Sequence, residues 1–331
     1  MGKVTLKEIA ERAGVAANTV SRALNDRGGI SDATKKRILK IAKEMNYIPD
    51  RIATSLRSKK SNLIGVMVPD IADSHWAEIF RGVEDVACRH DFQILLSNSK
   101  EQRSIEDRIL DQFLSLRVAG LLLMPSFESR ELIQKIAKLS NPCVLINRRY
   151  IGCRIPYVMP DNVHGIRQAV SHLLERGHEI IGFLNGHPGS MTSQIRYNAF
   201  TESLRQCGID PADCPYGICS GTCSSAYDAS LEILGRHPSM TALMCFNDLI
   251  AFGAYKAIKE LGWDIPQDIA VTGFDDVEFA SIVTPPLTTV HTKRYTMGQK
   301  AMELLLMSME DKEIDPEGYI IDTELIIRGS T

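Results

Sequence analysis

The chain reads as an α/β protein: an N-terminal helix-turn-helix headpiece joined to a core of two lobes, each a doubly wound parallel sheet. Three observations predict this. Residues 5–25 carry two short helical patterns around a glycine. Charge is divided, with residues 1–60 at +8 and the remainder at −11. From Leu63 onward, short apolar strands alternate with amphipathic helices through two successive runs, the pattern of parallel sheets covered by helices.

The headpiece comes first. In TLKEIAERAGVAANTVSRALN, Thr5 followed three residues later by Glu8 is a capping box, so a helix starts near Leu6. Ile9, Ala10 and Ala13 form its apolar face, and Gly14 is the residue expected where it stops. Val15 begins a turn. Helical spacing resumes over Asn18–Leu24, with Val20, Ala23 and Leu24 turned inward. Ala17, Asn18, Ser21, Arg22 and Asn25 remain outside, short or planar polar groups of the kind that read base edges. The plain alternative is an ordinary helical hairpin. Ser31 caps a third helix from Asp32 to about Met45, closing a three-helix unit over residues 1–46. Pro49 then disfavours helix, and residues 47–60 form a linker whose Arg51–Arg57 stretch is too short to be a stable helix alone.

The core spans 61–331. Strands are expected at Leu63–Val68, Gln93–Leu96, Gly120–Met124 and Cys143–Ile146. Between them lie helices, one placing Trp76, Ile79, Phe80, Val83 and Ala87 on one face, the others near 105–116 and 129–139. The alternation restarts after Asp161: helix 163–176, strand Ile180–Leu184, helix 195–206, strand Tyr216–Cys219, helix 224–235, strand Ala242–Cys245, helix 249–261, strand Ile269–Thr272. Two runs of this length imply two subdomains with a ligand cleft at the strand carboxyl ends.

Composition narrows the function classes. A hydrophobic content of 44% supports a sizeable core. No apolar run approaches the roughly 18 residues of a membrane span, and no signal-peptide pattern precedes Thr5, so the cytoplasm is the expected location. Eight cysteines include no CxxC pair; Cys207, Cys214, Cys219 and Cys223 read as free thiols in a reducing compartment, with a metal or redox site as the alternative. No cofactor is expected. A GxSxG elbow, a GxxxxGK loop and an HExxH pair are all missing, and the adjacent Asp275 and Asp276 cannot flank one substrate as a spaced acid pair would. An enzyme is therefore the weakest reading.

The run AxxAGVxxxTVSRxLN, from Ala10 to Asn25, closely resembles the helix-turn-helix of the lactose- and galactose-repressor (LacI/GalR) family of transcription regulators. The resemblance implies that Ala17, Asn18 and Arg22 face the major groove while Thr5, Thr19, Ser21 and Asn25 meet phosphates. It also implies that residues 51–57 form a hinge helix, with Ala53 and Leu56 at the minor groove, where paired leucines of a homodimer wedge into a palindromic operator. Ala16 departs from the family's usual capping Ser, a loss of about 1 kcal/mol. Asp50, where Asn is frequent, weakens the expected phosphate contacts.

The resemblance extends over essentially the whole chain. The markers are DN…G…HLLERGH from Asp161, CFNDLIAFGA from Cys245 and GFDDVEFASIVTPPLTTV from Gly273; they are similar to a periplasmic-binding-protein-like core. It implies lobe 1 over about 61–160 and 291–318, and lobe 2 over about 161–290 and 319–331, with helix 297–309 in the first lobe and the strand around Tyr319–Ile327 in the second. The matched effector positions are His75, Trp76, Arg148, Asp161, Ser190, Thr192, Arg196, Asn247 and Asp275. Arg196 offers a planar fork of donors; Asp275, Asp161 and Asn247 accept from hydroxyls; Trp76 stacks on an apolar sugar face.

These expectations add up to a ligand-responsive DNA-binding repressor controlling sugar or sugar-acid genes. Its partners would be double-stranded operator DNA, a second copy of the chain and a small effector. A receptor without DNA function would leave the basic headpiece unexplained. Two arginines, Arg148 and Arg196, set against two acids suggest a hydroxylated effector with an anionic group, a sugar acid or sugar phosphate. The alternative is that Arg148 pairs with a cleft acid and the effector is a plain sugar.

Overall fold

The computed structural model describes residues 4–24, 28–47, 61–126, 130–139, 141–150, 154–310 and 318–331. The chain divides into two compact units, Met1–Lys60 and Ser61–Thr331.

In the first unit, α1 (Leu6–Ala13) begins at the full Thr5–Glu8 capping box and ends at Gly14, whose φ of 62° is the left-handed cap conformation. Helix α2 spans Ala17–Leu24. Helix α3 (Asp32–Glu44) starts at Ser31, whose hydroxyl accepts from the Thr34 N–H. Ile9, Val20 and Ile38, one from each helix and all fully buried, form the centre of the small core with Ala10, Ala13, Ala23 and Ala42. The alanines let the three helices approach closely.

The second unit holds two six-stranded sheets, ordered β11-β5-β4-β3-β1-β2 and β12-β10-β9-β8-β6-β7. The first sheet comprises β1 (Leu63–Val68), β2 (Gln93–Asn98), β3 (Gly120–Leu123), β4 (Cys143–Ile146), β5 (Tyr157–Pro160) and β11 (Tyr319–Ile321). All its pairings are parallel. The second comprises β6 (Ile181–Asn185), β7 (Tyr216–Ile218), β8 (Ala242–Cys245), β9 (Ala270–Asp275), β10 (Thr288–His291) and β12 (Glu324–Ile326). There only β12 runs antiparallel, to β10. Parallel sheets bury both faces, and each sheet here lies between two apolar clusters.

The covering helices of lobe 1 are α4 (Ser74–Arg89), α5 (Arg103–Ser115), α6 (Arg130–Ala137) and α11 (Arg294–Met309). Those of lobe 2 are α7 (Asn162–Glu175), α8 (Met191–Gln206), α9 (Cys223–Arg236) and α10 (Asp248–Glu260). No helix among the described residues is long and apolar enough to cross a membrane.

Two strands escape the periodicity reading. Tyr157–Pro160 ends in a proline, and Thr288–His291 follows Pro285-Pro286 closely, so prolines, which read as strand breakers, mask both. The segment assigned to finish lobe 2 is in fact divided. Tyr319–Ile321 pairs with β5 in the first sheet, and only Glu324–Ile326 reaches the second. The chain therefore crosses between lobes three times, at 160–162, 291–294 and 321–324.

Helices α4 and α11 pack with backbones nearly touching. A Cβ on Gly298 would fall 1.9 Å from Ile79 O, and one on Gly82 would fall 2.1 Å from Tyr295 O. Backbone cannot retreat as a flexible side chain can. Gly298→Ala is expected to destabilise the core by about 1–3 kcal/mol or more, read as a lowered urea midpoint. An unchanged midpoint would show that the helices separate freely.

Candidate functional site

The first candidate surface is the outer face of the headpiece. Ala17, Asn18 and Arg22 are exposed, and Thr19 and Ser21 half-buried, on one short helix. The Arg22 guanidinium lies over Gly29: a Cβ there would be 3.0 Å from Arg22 Nη2, and Gly29 holds a φ of 89°. Ala16 supplies only its carbonyl to the start of α2, accepting from Thr19 N at 2.9 Å and Val20 N at 3.3 Å. Thr5 is committed to the capping box, its hydroxyl accepting from Glu8 N and its N–H donating to Glu8 Oε2 at 2.7 Å. Asn25, Ala53 and Leu56, with the hinge stretch 51–57, lie outside the described residues.

The second candidate site is a cleft of about 470 Å³ between the lobes. It lies where parallel strands end, as expected for doubly wound sheets. Asp70 follows β1, Asn98 ends β2, Ser126 follows β3, and Asn147 and Arg148 follow β4. From lobe 2, Gly186 follows β6, Ser220 follows β7, Phe246 and Asn247 follow β8, and Asp275 ends β9. Of the effector positions expected from sequence, His75, Trp76, Arg148, Ser190, Thr192, Arg196, Asn247 and Asp275 line this cleft together.

Asp161 does not line it. Its carboxylate accepts from His164 N at 2.8 Å as the cap of α7. Its N–H donates to Ile321 O, and its carbonyl accepts from Thr323 Oγ1. Asp161 thus ties the first lobe crossing to the third. Its neighbour Asn162 is the residue that reaches Arg196.

Arg196 is buried, and each of its three guanidinium nitrogens donates to a protein oxygen. Nε donates to Asn162 Oδ1 at 2.8 Å, Nη1 to the Phe246 carbonyl, and Nη2 to Asp275 Oδ1 at 3.5 Å. Its carbon lies 3.6 Å from the Phe274 ring centre and 4.6 Å from that of Phe246, a cation–π sandwich. Burial pushes its pKa down to about 10, against the pull of Asp275. Asp275 stands in the left-handed region at φ 115°. Burial raises its pKa while Arg196 and Arg294 draw it back.

The alternative reading, Arg148 paired with a cleft acid, is not what the structure shows: its bonds go to two carbonyls and a hydroxyl. Nε donates to Pro125 O at 2.9 Å, and Nη1 donates to Asn147 O at 2.7 Å and to Thr192 Oγ1 at 2.9 Å. Thr192 belongs to lobe 2, so this last bond bridges the cleft. His75 also reaches toward the other lobe, with Nδ1 3.4 Å from Asp275 Oδ1. Burial pushes its pKa down to about 3, so the imidazole is neutral at ordinary pH. Its ring meets Trp76 edge-on at 4.6 Å.

Asn247 caps α10, accepting from Ile250 N at 2.9 Å. Ser190 stands at the start of α8 without a side-chain cap bond. Sequence reading missed Asp73, Asn98, Glu101, Asn147, Ser193 and Phe246 on the cleft wall. Position was the available signal, since most stand within a few residues of a strand's carboxyl end or a helix start. Cys207, Cys214, Cys219 and Cys223 are free thiols, and no cluster able to hold a metal ion occurs among the described residues.

Comparison with known proteins gives the family of both units. Residues 5–50 match the lacI family of bacterial regulatory proteins, and residues 170–331 match a periplasmic binding protein-like domain. The chain is 33% identical over 329 residues to the transcriptional repressor CytR of Escherichia coli K12, covering 99% of this chain and 96% of that protein. It is 32% identical to the ribose operon repressor of Halalkalibacterium halodurans, covering 99% and 97%. Its fold superposes on the lac repressor dimer bound to operator and the anti-inducer ONPF with a TM-score of 0.92 at 27% identity, covering 99% of each chain. A helix-turn-helix unit with an outward polar face, a two-lobed core with its cleft at the strand ends, and relatives alike from end to end place this chain in the lacI family of bacterial regulatory proteins.

Proposed function

We propose that the chain is a homodimeric repressor that binds a near-palindromic operator through α1–α3 and is switched by a small polyhydroxylated effector held in the cleft. The observation that carries this reading is the exposed Ala17, Asn18 and Arg22 face on a basic unit, on the same chain as a cleft lined from both lobes. Similarity to a ribose operon repressor and to an operator-bound dimer supports a sugar-linked role. The protein acts in the cytoplasm, where operator DNA lies, and is regulatory rather than catalytic.

The mechanism is linkage between two sites. An effector that prefers one lobe arrangement shifts the population toward it; one with equal affinity for both shifts nothing. Asp275 is placed to report cleft occupancy. Its neighbour Asp276 accepts from His291 Nδ1 at 2.9 Å and from Arg294 Nη2, through its carbonyl, at 2.7 Å. Those two residues form the crossing that leads into α11 of lobe 1. Movement at Asp275 therefore bears on one of the crossings that join the two lobes.

Operator selection from random duplexes, followed by titration at several salt concentrations, tests this. A two-fold-symmetric site whose affinity falls steeply with salt is expected. Removal of residues 1–60 should abolish DNA binding and keep ligand binding. Sequence preference retained by the truncated core would defeat the assignment.

Two substitutions refine it. Arg22→Ala is expected to cost about 1–3 kcal/mol and to relax preference at one symmetric position, most simply a guanine. A uniform loss across all sequences would make Arg22 a phosphate contact instead. Leu56→Ala should remove most of the bend at the operator centre while leaving the headpiece folded, since such wedges unstack a base step. An undiminished bend angle in the mutant complex rejects the wedge.

A further inference from the structure

From the bonding state of the cleft wall we infer that the effector is an uncharged, hydroxyl-rich molecule, and that its sugar-acid and sugar-phosphate counterparts are excluded. The inference rests on reading the cleft as the effector site.

Polar side chains that line the cleft, are more than nine-tenths buried and lack a hydrogen-bond partner mark where a ligand completes the wall. His75, Ser126, Asn147 and Ser193 meet that description. His75 Nδ1 lies 3.4 Å from Asp275 Oδ1 without a hydrogen bond, and His75 Nε2, Ser126 Oγ, Asn147 Oδ1 and Ser193 Oγ have no hydrogen-bond partner. They come from four separate segments and both lobes, and none of the four is a charged residue at ordinary pH. Unpaired buried polar groups are costly, so a ligand that satisfies them is favoured.

The charged groups tell the same story. All three side-chain nitrogens of Arg196 already donate to protein oxygens, and Arg148 is held through Nε and Nη1. Arg148 Nη2 is the arginine nitrogen left over on the wall among the described residues, and Lys100 stands exposed at the rim. Against these cations the wall carries the buried Asp275 and the half-buried Asp73, with Asp70 and Glu101 exposed at the rim beside Lys100. Burial raises the pKa of Asp73 and Asp275 and lowers those of His75, Arg148 and Arg196. The enclosed part of the cleft thus disfavours added charge.

The wall is also rich in acceptors. Carboxylate oxygens and Asn147 Oδ1 accept and do not donate. A hydroxyl can donate to them, whereas a carboxylate or phosphate brings acceptors toward acceptors and negative charge toward an acid surplus. The sequence alone, which brings in Asp161 and leaves out Asp70, Asp73 and Glu101, points to the opposite balance. Placement reverses it.

The test uses the full chain and matched sets of compounds. Pentoses, hexoses, disaccharides and nucleosides are compared with their aldonic acids and 5- or 6-phosphates. Binding is read by calorimetry, and operator affinity is measured alongside. At least one neutral compound is expected to bind ten-fold or more tightly than its own acid and phosphate. Asn147→Ala and Ser193→Ala should each weaken that compound several-fold. A phosphate or acid that outbinds its neutral parent overturns the inference, as does failure of every neutral compound to bind. If neutral compounds bind but leave operator affinity unaltered, the ligand class stands and the regulatory reading of the cleft falls. If an anion binds and alters operator affinity, the reverse holds.

Discussion

Arg196→Ala is expected to abolish the response to effector and to destabilise the core by about 3–5 kcal/mol, the cost of removing one partner from a buried ion pair. The guanidinium lies between Phe246 and Phe274 and donates to Asn162, the Phe246 carbonyl and Asp275. Its loss leaves the buried Asp275 carboxylate with a diminished counter-charge and two acceptors unpaired. A paired change separates the structural role from the functional one. Arg196→Met with Asp275→Asn removes both charges while keeping volume, and should recover much of the stability. Operator binding should then persist while effector release or enhancement does not return. Urea unfolding and ligand-dependent gel shifts measure the two effects. A double variant that still answers to effector would reduce Arg196 to a packing residue.

The second large effect is a pH dependence centred on Asp248. This carboxyl is buried at the start of α10, where it accepts from the Thr289 hydroxyl and, at 2.8 Å, from Val277 N. Gly273 has no room for a side chain, because a Cβ there would come 2.1 Å from Asp248 Oδ1. Burial, followed by the charge of Asp275, pushes the Asp248 pKa up to about 8; the hydrogen bonds from Thr289 and Val277 oppose the rise.

The sign follows from proton counting. In the unfolded chain the proton leaves near the ordinary carboxylate value of 3.8, whereas the folded chain holds it until about pH 8. The unfolded state therefore binds fewer protons across that window, and stability contributed by this group falls as pH rises from about 4 to about 8. Each pKa unit of difference is worth about 1.4 kcal/mol. Other buried carboxyls with raised pKa, such as Asp73 and Asp275, slope the same way, so the comparison must be with Asp248→Asn. The Asn oxygen can accept from Val277 N and its amide can donate to Thr289. Unfolding by urea at pH 5 to 8.5 should show a markedly flatter profile for the variant. Parallel profiles would mean that Asp248 is ionised in the folded protein throughout.

Local rules that need only neighbouring residues were legible in the chain. The Thr5–Glu8 box, the Gly14 stop and the Ser31 cap appear as read, because each depends on residues within one helical turn. Strong periodicity located most strands and helices of both lobes, since a segment buried on one face or both carries its own pattern. The cleft's location followed as well. Ligand sites in doubly wound sheets gather at the strand carboxyl ends, and that expectation needed only the strand order.

Tertiary structure decided what depends on residues far apart in the chain. The segment after Gly318 looked like one strand, yet three residues join one sheet and three the other, because the lobe edges lie either side of Thr323. Asp161 and Asn162 are neighbours in sequence, and only the geometry of the α7 cap sends one to the crossing and the other to Arg196. The charge balance of the cleft was likewise hidden. Asp70, Asp73 and Glu101 come to the wall from segments after β1 and β2, and Arg148 finds carbonyls and Thr192 instead of an acid. Sequence patterns report which face of an element is buried; which charges meet is set by packing between elements, and that exists only once the chain has folded.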